Sequence, residues 1–310
     1  MRVYKFGGAS VRDIEGFFNV ASILKEHSKQ LLVVVSAMGK TTNSLERIVA
    51  LAQAKHSLTD ELNQLVAYHD EVVRGLFKPD ASFNLQLTGL FNQVEMEAKK
   101  MGEPDQIYDQ VVSLGEVIST LILSHFLTQQ GIDNEWVDAR KFISTNNSFR
   151  EGLVDWDKTK INTQRLQDIL KSKIVITQGF IGYASDGLTT TLGRDGSDYS
   201  AAIFAACLNA ESVTIWKDVP GVMNADPRRL PAATVFEELP YKEAAEMTYY
   251  GASVIHPKTI KPLANKGIPL FVKNFDNVKL EGTKIHECKV DHLPPLIVFK
   301  DNQCLIKAKK

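Results

Sequence analysis

A lysine and two glycines close the first strand-like run, "RVYKFGG", and their types and spacing could hold an anion at the strand's end. Lys5 brings an ammonium to the strand's end. Gly7 and Gly8 lack Cβ atoms, so the backbone there can approach a ligand closely and turn its N–H groups toward an anion. Ser10 and a helix starting near Asp13 add donors. The unit reads as a phosphate cradle or, equally, as a tight βα turn with a solvated lysine. A second cluster, "TTTLGRDGSDYSAA", begins at Thr189. Gly193 permits a bend, Ser197 and Asp198 sit where a helix N-terminus is capped, and a helix start suits an anionic ligand. Arg194 adds a planar fork matched to carboxylate or phosphate. The plainer reading makes Ser197 an N-cap and Arg194 a surface residue, and it covers the serine better than the arginine. A third cluster, "TIWKDVPGVMNADPRRL", places Lys217 and Asp218 after an apolar strand and leads through two turns to Arg228. Basic groups bracketing a turn at a strand end suit a polyphosphate; a solvated basic loop is the alternative.

Two further segments need weighing. "LLVVVSAMGKTT" ends in Gly39-Lys40-Thr41 and looks like half a P-loop, but the full signature needs a glycine where Val34 stands. Thr41 and Ser36 can still line a polar site at the strand's end. In "VVSLGEVISTLILSHFL", Leu114, Ile118, Leu121 and Ile122 share one helical side and Glu116 lies opposite with Ser113 and Thr120. Spacing alone makes Glu116 a solvated surface carboxylate. The functional alternative has it face a cavity and pair with a substrate ammonium.

The elements that must position these residues alternate. "RVYKF", "LLVVVSA", "KIVITQGF", "SVTIWK" and "IPLFVKNF" read as strands covered on both faces. Amphipathic helices are expected near 13–27, 44–56, 58–76, 105–129, 159–170, 198–209, 241–252 and 257–266. That alternation predicts an α/β fold with a mostly parallel sheet between helical layers, and ligands beyond the strands' carboxyl ends. Helices dominate 44–130 and strands and turns are denser after 173, which suggests two lobes meeting near 160–180.

Bulk properties exclude some classes. The 310 residues carry a net charge of -1, with 44% apolar and 24% charged residues, so no basic field points to nucleic acid. Cys207, Cys288 and Cys304 have no metal-ligand spacing, and Cys207 reads as a buried reduced thiol. The start "MRVYKF" leaves no room for a signal peptide, and "LLVVVSAM" is too short to span a bilayer. A cytoplasmic location without membrane attachment is the expectation.

Taken in order, the blocks "KFGGASV", "VVVSAMGKTTN", "SLGE", "TQGFIG" with "TLGRDGSDYSAA", "WKDVPGVMNADPR" and "YKEAAEMTYYGASVIHP" resemble the aspartate kinases (aspartokinases) of the amino acid kinase family over nearly the whole chain. The resemblance implies a three-layer αβα sandwich and phosphorylation of the side-chain carboxylate of L-aspartate by ATP with Mg²⁺, giving 4-phospho-L-aspartate. That reaction opens lysine, threonine and methionine synthesis. It implies a catalytic unit over 1–290, with an amino-acid lobe at about 1–175 and an ATP lobe at about 176–290. Residues 291–310 would begin a C-terminal ACT regulatory region, and the full-length protein would be a homo-oligomer. Carried over by position, Lys5 stabilises the moving phosphoryl group beside Gly7 and Gly8, and Asp198 organises the site's lysines. Glu116 takes the substrate ammonium, Arg194 its α-carboxylate, and Thr41 and Ser197 add substrate contacts. Lys217, Asp218, Met223 and Arg228 fall at the ATP, no residue is assigned to a protein-held metal, and His256 packs at a helix start. Ala9 stands where threonine is usual, Asp195 where glycine is common, and Ser253 where some members have a nucleotide-contacting lysine. Two other readings stay open: the same fold acting on another acceptor such as glutamate, and a silent amino-acid-binding subunit. Glu116 with Arg194 favours a free amino acid, and the joint presence of Lys5, Asp198 and Lys217 counts against silence.

Overall fold

The computed structural model describes residues 1–249, 255–290 and 293–298. Its strands are β1 (Arg2–Phe6), β2 (Leu31–Val35), β3 (Asn134–Trp136), β4 (Ser144–Thr145), β5 (Ile174–Gln178), β6 (Ile181–Ala184), β7 (Thr189–Thr191), β8 (Ser212–Lys217), β9 (Glu238–Pro240), β10 (Leu270–Asn274) and β11 (Thr283–His286). Eight form one sheet in the order β3-β5-β2-β1-β8-β10-β11-β9, and β4, β6 and β7 form a small second sheet. All neighbours in the large sheet run parallel except β10 and β11.

Strand parity builds the layers. Leu31, Val33 and Val35 of β2 feed one core with Tyr4 and Phe6 of β1, whereas Leu32, Val34 and Val3 feed the other. Successive side chains leave a strand on opposite faces, so a run such as "LLVVV" needs cover on both. The first core is covered by α1 (Ile14–Leu24), α2 (Thr41–Gln53), α3 (Thr59–Leu76), α4 (Ala81–Ala98) and α5 (Pro104–Gln129). The second is filled chiefly by α7 (Leu166–Leu170), α8 (Gly196–Leu208), α9 (Tyr241–Tyr249) and α10 (Pro257–Ala264), after the short α6 (Trp156–Thr163). The result is an α/β three-layer sandwich.

The observed β1 and β8 coincide with "RVYKF" and "SVTIWK", and the other three expected strands lie inside their predicted runs. The helix expected at 159–170 is two helices, α6 and α7, and α4 has no counterpart among the expected elements. Its polar run "ASFNLQLTGLFNQ" hides a stripe of Phe83, Leu87, Phe91 and Val94, all buried. Among the described residues one helix, α5, is long and apolar enough to cross a membrane by length and composition, and 78% of its apolar window is buried inside the protein. Cys207 is buried as expected. Ser253, Cys304 and most of the 291–310 segment lie outside the described residues.

Candidate active site

The carboxyl ends of β1, β2 and β8 converge, and the residues that follow them meet there. Gly8 permits the closest approach: a Cβ on it would sit 2.6 Å from the Ala37 carbonyl oxygen. In its place the Gly39 amide donates to the Gly8 carbonyl at 3.0 Å. The two loops thus touch backbone to backbone, which any side chain would prevent.

Behind them lies an ion cluster of three residues centred on a buried acid. Lys5 Nζ is 2.7 Å from Asp198 Oδ1, and Lys217 Nζ is 3.1 Å from Asp198 Oδ2. Asp198, on the first turn of α8, is 2% exposed. Burial alone would raise its pKa, but Lys5 and Lys217 override that and hold the carboxyl below the usual range. One carboxylate therefore fixes ammoniums arriving from β1 and β8. Lys5, Gly7, Gly8, Lys217 and Asp218 also line a cavity of about 700 Å³.

On the other side of Gly8 a second cavity, of about 550 Å³, is lined by Ser36, Glu116, Arg194 and Ser197 among others. Glu116 is 3% exposed, which overturns its placement at the surface. The helix α5 is enclosed on nearly all sides, with buried residues at seventeen of its positions, so helical spacing cannot say which side is wet. Burial pushes the Glu116 carboxyl up to about 8, partly offset by the Ala37 amide and by Lys5. Its Oε2 is buried with no hydrogen-bond partner among the described residues. A buried acceptor without a donor is costly, and a ligand ammonium would satisfy it.

The helix α8 starts differently from the expectation. Its N-cap is Asp195, in the left-handed conformation at φ 54°, which is where glycine is favoured and where aspartate is tolerated. Ser197 lies inside the first turn and its hydroxyl bonds Ser36 at 2.9 Å. That contact ties α8 to the end of β2. Arg194 is largely exposed, and its Nε lies 3.7 Å from the Asp195 carboxylate, so the added acid faces the arginine.

Not every expected residue is brought in. Thr41 is buried and its hydroxyl bonds Nε2 of His69 at 3.2 Å, while Thr42 lines the cavity instead. His69 donates from Nδ1 to the Leu65 carbonyl at 2.7 Å, so Nε2 accepts from the threonine. Arg228 is exposed and folded onto Asp226 at 2.9 Å, and neither it nor Met223 lines the two cavities. His256 caps α10, its Nδ1 accepting from the Lys258 amide at 3.1 Å. Sequence reasoning passed over Arg150 and Asp109. Arg150 lines the second cavity, and Asp109 is fully buried beneath it. Asp109 sits in the polar first turns of α5, "PDQIYDQ", where its type gives no signal, and for Arg150 there was none either.

The model of the amino acid kinase family matches residues 1–274. Lysine-sensitive aspartokinase 3 of Escherichia coli is 35% identical over 98% of this chain and 68% of that protein. A bifunctional aspartokinase/homoserine dehydrogenase of Buchnera aphidicola is 32% identical over 93% of this chain, which spans only 36% of that longer protein. The crystal structure of E. coli aspartokinase III in complex with aspartate and ADP superposes with a TM-score of 0.85 at 33% identity, over 94% of this chain and 65% of that one. The chain belongs to the amino acid kinase family, in its aspartokinase group.

Proposed function

We propose that the chain transfers the γ-phosphoryl group of ATP to the side-chain carboxylate of L-aspartate, forming 4-phospho-L-aspartate on the way to lysine, threonine and methionine. The observation that carries this reading is the unpartnered, buried Oε2 of Glu116 opening on a cavity that adjoins the Lys5–Asp198–Lys217 cluster. Glu116 takes the substrate's ammonium and Arg194 its α-carboxylate, with Ser197 beside them. The likeness to a solved aspartokinase holding aspartate and ADP supports the same pair of substrates here.

The chemistry asks little proton transfer of the protein. The acceptor carboxylate is ionised at neutral pH, so its oxygen attacks Pγ as the bond from Pγ to the ADP oxygen breaks, and ADP leaves as an anion. Positioning and charge neutralisation do the rest. Lys5 and Lys217 supply positive charge where negative charge develops on the phosphoryl oxygens, and Asp198 keeps both ammoniums aimed. Gly7 and Gly8 let the backbone lie against the phosphates, and Asp218 follows at the mouth. No group of three metal-ligating side chains exists among the described residues. That fits Mg²⁺ held mainly by nucleotide phosphates with one or two carboxylates such as Asp218; the ion would neutralise phosphate charge. The catalytic unit is taken as 1–290, with the amino-acid lobe N-terminal to the ATP lobe.

Incubation with ATP, Mg²⁺, hydroxylamine and single amino acids tests the reading. Hydroxamate with aspartate alone supports it. Hydroxamate only with glutamate moves the acceptor, and no ADP with any amino acid would leave a binding subunit.

A further inference from the structure

Arg150 is a cation at the acceptor cavity that no motif predicts. Its φ of 64° is left-handed, a conformation unfavourable for any residue with a Cβ and natural for glycine. The protein holds the loop there firmly. On α5 the buried carboxylate of Asp109 accepts from the Arg150 amide at 2.9 Å, and from the amide and hydroxyl of Thr191 at 2.8 Å each. The Gly152 amide donates to the Thr191 carbonyl at 2.8 Å. A Cβ on Gly193 would lie 3.3 Å from the Arg150 carbonyl oxygen. The Arg150 loop and the Arg194 turn therefore run side by side, anchored by one buried acid, and both arginines line the same cavity.

The guanidinium of Arg150 rests 3.9 Å from the centre of the Tyr108 ring and 3.3 Å from Asp105. Both contacts are at the surface, where ion pairs and cation–π contacts are weak and readily exchanged for a better anion. Arg194 shares its charge with Asp195 through an exposed pair at 3.7 Å, which a substrate carboxylate must compete with. Glu46, Glu151 and Asp195, besides the uncharged form of Glu116, also line this cavity against its two arginines. An anionic amino acid entering such a site needs both.

We propose that Arg150 moves off Tyr108 to bind the substrate's α-carboxylate jointly with Arg194, and thereby sets the affinity for the acceptor. The proposal deepens the kinase reading and rests on it. The test uses Arg150→Gly, which suits the backbone angle, beside Arg150→Lys and the double variant Arg150→Gly/Asp195→Gly. Aspartate binding is measured by calorimetry without nucleotide, together with aspartate KM, kcat and Tm. Arg150→Gly should raise the Kd and KM for aspartate about tenfold, with kcat within twofold and Tm equal or higher. Lysine should restore part of the affinity, and Asp195→Gly should restore part by releasing Arg194. A merely structural arginine would lower Tm instead and leave that split unseen. Wild-type aspartate affinity in Arg150→Gly overturns the proposal while leaving the kinase reading intact; a wild-type protein that binds no aspartate overturns both.

Discussion

Asp198 and Glu116 are buried alike, 2% and 3% exposed, beside adjoining cavities, yet their charge states diverge. Burial pushes both carboxyls up. At Asp198 two ammoniums within 3.1 Å more than offset it. At Glu116 the Ala37 amide and the field of Lys5 offset it only in part, and the carboxyl stays near 8. The difference assigns the two sides of the site separate tasks. One side already has a partner for its acid and keeps two cations in place for phosphate. The other holds an acid whose cation must come with the substrate.

The comparison can be broken at either acid, and at the cations around them. Lys5→Ala removes an ammonium from the reacting side, and kcat should fall by about 10³-fold or more; a near-normal kcat would reject its role. Asp198→Asn takes the partner carboxylate from the buried Lys5 and releases the half-buried Lys217 from it, so kcat should fall about 100-fold, with a stability loss of about 3 kcal/mol by denaturant unfolding. Glu116→Gln should do the reverse to stability while weakening aspartate binding about 100-fold. The sign follows from linkage. The folded pKa lies above the unfolded value, so the native state holds the extra proton between about 4.5 and about 8, and stability drains away as pH rises through that window. The glutamine variant lacks that loss, so its Tm should match the wild type near pH 5 and exceed it at pH 8. Equal Tm values across the range would show that Glu116 carries no burial penalty. Arg194→Ala should be mildest, raising aspartate KM about tenfold with kcat little changed, because its guanidinium is exposed and shared with Asp195. An unchanged KM would remove it from the substrate.

Much of the frame was legible because strand patterning is local. "RVYKF" and "LLVVV" announce a doubly covered sheet from side-chain type alone, and the glycine turns after them mark the ligand end. The link between Lys5 and Asp198 is tertiary, and only the ordered set of family blocks suggested it. Glu116 could not be placed from spacing, since helical periodicity loses meaning on a helix with no wet side. The helix α4 was hidden by polar residues filling the gaps of its apolar stripe. Ser197 was read as a cap because serine favours that position, but the left-handed Asp195 starts the helix earlier. Arg150 was illegible for a different reason: its loop is placed by Asp109, distant in sequence.

The division of tasks requires Glu116 to be largely protonated until an ammonium arrives. Titration calorimetry of aspartate at pH 7, in two buffers of different ionisation enthalpy, reads the protons exchanged directly. Release of most of one proton per aspartate bound, abolished in Glu116→Gln, is the predicted result. Binding with no net proton exchange, and with an affinity flat from pH 6.5 to 8.5, would contradict it.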